Sequence, residues 1–321
     1  MRPARLALFA LALALFALPA RAADGMRLAL QATGTTVWEM AVVSAYGLDE
    51  EAGLDLKITE LASTEAGKIA LVGGSADVIV SDWLFVARER ASGHDLAFYP
   101  ASTGIGALMT KDPAIKTVKD LAGKKLGVAG GPLDKSWLLL KAYALEKGVD
   151  LEKSAQIVYG APPLLAEKAA QGELDAALEF WNFALDLEAR GFRRAIDMAE
   201  VEKALGASGA PVVTGYVFDE KFAAAHGPAL ARFFAMMKKA KSLIATSDAA
   251  FAKAAARIPA KDKATRDLYR ERYVEAAPKG SPAEQEADAA KLFAVLAAIG
   301  GEALVGPAKT LPSGTFYKAA P

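Results

Sequence analysis

The chain has 321 residues, of which 53% are apolar and 24% charged, with 38 basic groups balancing 38 acidic ones. That length suits two ordinary α/β domains better than one, and the composition excludes a disordered chain. The balanced charge shows neither a nucleic-acid footprint nor a polybasic membrane patch. The absence of cysteine excludes thiolate zinc sites, thiol nucleophiles and disulfides.

The N-terminus stands apart. Arg2 and Arg5 precede an almost pure Ala/Leu/Phe run over 6–18, Pro19 breaks it, and Ala20-Arg21-Ala22 puts small residues where a signal peptidase reads. This pattern predicts a secretory signal peptide over 1–22, cleaved after Ala22, and hence a periplasmic protein. A membrane anchor is the competing reading, but the run is shorter than the ~20 apolar residues of a spanning helix. No cysteine follows it, so a lipid anchor is not expected. Arg2, Arg5 and Arg21 leave with the segment, so the mature chain is expected to carry three more acidic than basic groups.

Beyond residue 22, strands and helices alternate, which predicts parallel sheets with helices on both faces. A strand over 26–31 ends in the polar loop Ala32-Thr33-Gly34-Thr35-Thr36, and Thr35 or Thr36 can cap the following helix. Strands follow over 54–61, 76–80 and 96–99, with helices over 67–72 and from Trp83 to Ser92 between them. The segment at 107–110 begins a crossing. Thr117 to Asp120 resembles a capping box with Asp in place of Glu. A strand over 126–129 ends at Gly130-Gly131-Pro132, ahead of a helix over 135–147. A strand over 156–159, a helix over 163–171, a strand over 176–180 and a strand over 212–218 complete the sheets. The rest is helical, over 222–246, 248–258, 261–274 and 283–299, with an irregular tail over 311–317. This order fits an interrupted lobe, with 23–106 and 210–321 forming lobe 1 and 107–209 forming lobe 2.

Four stretches carry a resemblance. They are Ala70-Leu71-Val72-Gly73-Gly74-Ser75-Ala76-Asp77-Val78, the segment 115–131 with Asp120-Leu121-Ala122-Gly123-Lys124-Lys125-Leu126-Gly127-Val128, the octet Ala169-Ala170-Gln171-Gly172-Glu173-Leu174-Asp175-Ala176, and the helix over 222–240. In this order they resemble the sulfonate/nitrate/taurine/thiamine-precursor-like family of ABC-transporter periplasmic substrate-binding proteins, across nearly the whole mature chain. The resemblance implies an α/β chain of periplasmic-binding-protein type II fold, in which two lobes close on a ligand. Two crossing segments, near 102–110 and 204–212, would join them, with a helical C-terminal part. It also implies no cofactor, a small-molecule ligand, a membrane permease with its ATPase as partner, and a monomer.

Ligands of open α/β sheets sit beyond the carboxyl ends of the strands. Those ends place Thr33, Gly34, Thr35, Trp38, Ser81, Asp82, Trp83, Ser102, Gly131, Asp134, Trp137, Glu179, Trp181 and Asn182 as candidate ligand-binding residues. The chain's four tryptophans all follow predicted strand ends. Each can pack its lobe's core or face the cleft, and at least two are expected to face it. Asp82 and Asp134 can be helix N-caps or ligand contacts. The loops at Thr33–Thr36 and Gly130-Gly131 suit an anion, and Lys135 could add charge. No arginine lies at a strand end, whereas carboxylates beside tryptophan suit a neutral, cationic or heteroaromatic ligand. The sign of the ligand's charge stays open.

Catalysis is not expected. The two histidines, His94 and His226, read as surface residues, and there is no metal-ligating His pattern, nucleophile elbow or phosphate-binding loop. The alternative to a transport receptor is a periplasmic accessory protein on the same fold, binding a protein instead of a solute.

Overall fold

A computed structural model describes residues 23–207, 211–260 and 262–318. The expected signal peptide lies outside the described residues, as does 208–210 of the expected second crossing. Ten strands form two five-stranded sheets. They are β1 (Asp24–Gln31), β2 (Leu54–Leu61), β3 (Val78–Asp82), β4 (Leu96–Ser102), β5 (Ala107–Thr110), β6 (Lys125–Ala129), β7 (Gln156–Gly160), β8 (Ala176–Glu179), β9 (Arg193–Asp197) and β10 (Thr214–Asp219). The helices are α1 (Thr36–Tyr46), α2 (Leu48–Glu51), α3 (Thr64–Val72), α4 (Trp83–Ala91), α5 (Lys135–Glu146), α6 (Leu151–Ser154), α7 (Pro162–Ala170), α8 (Trp181–Ala189), α9 (Met198–Ala204), α10 (Glu220–Thr246), α11 (Asp248–Ala255), α12 (Lys263–Glu275), α13 (Pro282–Gly300) and α14 (Glu302–Val305). Among the described residues, no helix is long and apolar enough to cross a membrane.

The first sheet has strand order β2-β1-β3-β10-β4 and the second β7-β6-β8-β5-β9. In each, four strands run in one direction and one antiparallel strand, β10 or β5, is set between two of them. The antiparallel strands are the ones that follow the chain's passages between sheets. β5 starts where β8 ends, Ala107 opposite Glu179, and β10 starts where β3 ends, Thr214 opposite Asp82. The chain therefore enters each sheet from its carboxyl edge and must run against the parallel strands there. Both passages and the carboxyl ends of β1, β3, β6 and β8 meet in one cleft.

Three buried clusters hold these layers. One face of the first sheet packs on α1 and the C-terminal helices through Trp38, Phe233, Phe234 and Tyr269. The outer face of the second sheet packs on α7 and α8. The largest cluster runs through both sheets, from Ile79 and Phe98 to Leu126, Leu178 and Trp137, with Leu292, Phe293 and Leu296 of α13 among its members.

Local chemistry explains most boundaries. The side chains of Asp82, Asp134, Asp219 and Ser281 accept backbone N–H bonds at the starts of α4, α5, α10 and α13. Thr117 and Asp120 form the anticipated capping box, around a 3-10 turn. α10 is kinked at His226 (φ −124°, ψ 22°), just before Gly227-Pro228, where the proline has no N–H to give. β9 and α9 were not anticipated. The tail over 311–317 is mostly irregular, as expected, but Phe316 bridges to Phe98 of β4, with Tyr317 N–H donating to the Phe98 carbonyl at 2.8 Å.

Candidate functional site

The cleft between the sheets encloses a cavity of about 110 Å3. Seven of the expected residues line it: Gly34 and Thr35 at the start of α1, Ser81 and Asp82 at the end of β3, Asp134 ahead of α5, and Trp181 and Asn182 in the first turn of α8. Both sheets thus contribute, as the strand-end argument requires.

Thr33 and Gly131 belong to the seam where the lobes touch. Asn182 Nδ2 donates to the Thr33 carbonyl at 3.2 Å, so a residue of the second lobe grips a loop of the first. A Cβ on Gly131 would stand 3.7 Å from Cγ of Glu65, on α3 of the first lobe. Ser102 lines a neighbouring cavity instead, and its Oγ accepts from Gly104 N–H at 3.0 Å.

The expectation for the tryptophans needs correction. Only Trp181 lines the cavity. Trp38, Trp83 and Trp137 are 2%, 2% and 0% exposed, in the cores. Trp38 sits edge-on to Trp181 and to Tyr269, each at 5.8 Å between ring centroids. Trp83 Nε1–H donates to the Val212 carbonyl at 3.0 Å. Trp137 lies under Tyr159, with centroids 6.5 Å apart. The first turn of a helix after a strand presents side chains both to the cleft and to the sheet, and a ring of this size contributes most where it is fully covered.

Glu179 is also a correction. It is fully buried and does not line the cavity, and neither carboxyl oxygen has a hydrogen-bond partner among the described residues. Burial pushes its carboxyl well above the usual range against the pull of the neighbouring Phe180 N–H, and Asp186 and Asp134 add to the rise.

Several lining residues were missed: Lys68 and Thr64 on α3 and the passage Gly104-Ile105-Gly106, whereas Phe180 closes the expected strand 176–180 and Thr214 falls in the expected strand 212–218. Lys68 is the most consequential. Its Nζ lies 2.9 Å from Glu65 Oε1, and it sits 4.9 Å from the Phe85 ring centroid. Burial works against its charge, but Asp82, Glu65 and Asp134 outweigh that and raise its pKa. The available sign was the only lysine of α3, with an apolar run after it, Ile69-Ala70-Leu71-Val72, and Glu65 one turn before it.

Both aspartates are N-caps. Asp82 Oδ1 accepts from Phe85 N–H at 2.8 Å, and Asp134 Oδ1 accepts from Ser136 and Trp137 N–H at 2.9 and 3.3 Å. Both also line the cavity, so the two readings are compatible. Burial, with Asp82 nearby, pushes Asp134 up to about 6 against the pull of Lys135 and Lys68. Among the described residues Ser81 Oγ is buried without a hydrogen-bond partner, and it faces this same space. The cavity therefore presents two ammonium groups, two carboxyls, an unpaired hydroxyl and one indole, with no arginine. Among the described residues, no group of three or more His, Asp or Glu side chains is placed to hold a metal ion.

Residues 42–249 match the family model described as NMT1/THI5 like. The chain belongs to that family. No curated protein sequence matches it. Among solved structures it is similar to the alkanesulfonate-binding protein SsuA from Xanthomonas axonopodis pv. citri, bound to MOPS, at a TM-score of 0.70 and 18% identity over 92% of this chain and 98% of that one. The periplasmic aliphatic sulphonate binding protein SsuA from Escherichia coli aligns at 0.66 and 20% identity, over 89% and 95% of the two chains. An ABC transporter structure from Parabacteroides distasonis aligns at 0.65 and 14% identity, over 93% and 100%. These likenesses give the fold, the periplasmic-binding-protein type II arrangement of two α/β sheets around a cleft.

Proposed function

We propose that this protein is the periplasmic solute-binding component of an ABC importer, a monomer that captures a small organic molecule between lobe 1 (23–106 with 210–321) and lobe 2 (107–209) and presents it to a permease with its ATPase. The single observation that carries this reading is a cavity walled by both lobes onto which the buried Ser81 hydroxyl faces, without a hydrogen-bond partner among the described residues. A buried hydroxyl without a partner costs on the order of 1–3 kcal/mol, a cost that a bound ligand removes.

Size and charge narrow the ligand. Cavities of about 150 Å3 hold benzene, so one of about 110 Å3 suits a compact polar molecule rather than a long chain. Paired lysines and aspartates favour a ligand with both a hydrogen-bond acceptor end and a donor or cationic end. Small sulfonate-, taurine- or thiamine-precursor-like molecules, heteroaromatic ones included, meet that description.

The test is calorimetric titration of residues 23–321, stripped of carried-over solute, with taurine, alkyl sulfonates, nitrate, thiamine and its pyrimidine, and quaternary amines. Saturable binding by one class supports the receptor. Silence across the panel from a folded protein favours the accessory-protein alternative. With the ligand in hand, Ser81→Ala weakens binding by about 5- to 30-fold, the loss of one buried hydrogen bond. Trp181→Ala weakens it at least as much by removing the one indole of the wall. If neither variant changes the dissociation constant, the cleft is not the site.

The pH dependence carries a sign. Asp134 is charged above about 6. For a ligand that donates to it, affinity holds above that value and falls as pH drops through it. Asp134→Asn flattens the profile, and an unchanged profile in that variant removes Asp134 from the contact.

A further inference from the structure

Behind the cleft wall lies a second cavity, of about 160 Å3, bounded by the end of β4, the C-terminal turns of α10 and the end of α12. Thr35 is a wall common to both spaces. The other walls include Ala101, Ala245 and Ala276, whose methyl groups leave the space unfilled although Phe233, Phe234 and Tyr269 pack tightly in the cluster beside it.

One end is polar. Lys241 lines the cavity, and its Nζ is 2.6 Å from Oε1 of the buried Glu39. Glu39 also accepts from the Tyr273 hydroxyl at 2.7 Å and from the Tyr216 hydroxyl at 3.2 Å. The carboxylate is thereby satisfied and the ion pair is neutral overall, so the cavity does not call for a charged guest. An ammonium has three N–H donors, and the bond to Glu39 uses one. Lys241 is partly exposed, with a quarter of its side chain in solvent, so the polar end is also the entrance. Ser102 Oγ already accepts from Gly104 N–H, so it adds little acceptor capacity. Thr35, Ser242 and Tyr273 also line the cavity, the Tyr273 hydroxyl already committed to Glu39, while Ala101, Ala245, Ala276 and Val274 make the rest of the wall apolar.

We infer that this cavity is a second binding site, distinct from the cleft, for a compact and mostly apolar molecule with one hydrogen-bond acceptor, seated with that acceptor toward Lys241. A five- or six-membered cyclic ketone has the right bulk, since cavities of about 150 Å3 accept benzene.

The experiment is a titration of the processed chain carrying 13C-labelled alanine methyls, with cyclopentanone as probe and cyclopentane as the acceptor-free control. The expected result is a saturable shift of the Ala101, Ala245 and Ala276 methyls, with a dissociation constant on the order of 1 mM for so few atoms and about tenfold weaker binding of cyclopentane. Ala245→Leu, or Ala276→Val if the first variant does not fold, fills the space and removes the saturable shift. Three results overturn the inference: no saturable shift at these methyls, equal affinity for the two probes, or a shift that persists in a folded cavity-filling variant.

Discussion

Glu202→Gln makes the protein more stable than wild type at pH 8 and leaves it nearly unchanged at pH 5. Glu202, on α9, is 3% exposed, and burial pushes its carboxyl from an ordinary value near 4.5 up to about 8, with Asp197 adding to the rise and Lys135 opposing it. Between those values the folded protein holds a proton that the unfolded chain has released. The stabilisation is fully present below about 4.5 and is lost as pH rises toward 8. That interval corresponds to on the order of 5 kcal/mol, which is the ceiling for this one group. Asp134 and Glu179, whose carboxyls are also raised by burial, push in the same direction. Salt-bridged carboxylates such as Asp77, lowered by Arg27 despite burial, act oppositely and only at more acid pH. Urea unfolding at pH 5, 6, 7 and 8 reads the difference. Parallel curves for wild type and variant across that range would remove Glu202 as the source.

Gly106→Ala is expected to cost at least ~4 kcal/mol, a size reserved for gross steric or polar faults. A Cβ there would lie 1.6 Å from the Glu179 carbonyl oxygen and 2.7 Å from its carbon. Both are backbone atoms, so no rotamer relieves the overlap. The only response is separation of β5 from β8 at the residue where the chain enters the second sheet. Gly106 O also accepts from Met198 N–H at 3.2 Å, so α9 shifts with it. Gly104→Ala is the control. Its Cβ would meet Trp181 Cδ1, Ala276 Cβ and Ser102 Oγ at 3.1–3.2 Å, contacts that a shift of a few tenths of an ångström relieves. Denaturant midpoints for both variants decide the matter, and a Gly106→Ala protein within ~1 kcal/mol of wild type would show that the passage is not held as described.

Much of this was legible because short apolar runs and helix caps are local signals. The strands β1 to β4 and β6 to β8 and the caps at Asp82 and Asp134 follow from neighbouring residues alone, and strand ends then locate the cleft; β5, at 107–110, was expected only as the start of a crossing and proves to be a strand between β8 and β9. β9 was not legible. Its sequence, Arg193-Arg194-Ala195-Ile196-Asp197, is half-buried throughout at a sheet edge and lacks apolar alternation. The cleft-facing tryptophan could not be singled out, because residues one turn apart on the same helix start divide between wall and core. Lys68 reaches the cavity from within α3, away from any strand end, and its role depends on carboxylates at Asp82 and Asp134, brought close only by the folded chain.

The lone indole on the cleft wall makes the protein its own optical instrument. Three of the four tryptophans are sealed in apolar cores; Trp83 and Trp137 emit as a steady background, and replacing both by phenylalanine leaves Trp181 with its neighbour Trp38. Trp38 and Trp181, 5.8 Å apart, are close enough to exchange excitation, so quenching at Trp181 dims both. With no native thiol in the chain, one cysteine introduced on the opposite rim takes a single dye, and energy transfer to it from Trp181 becomes a ruler of how wide the two lobes stand.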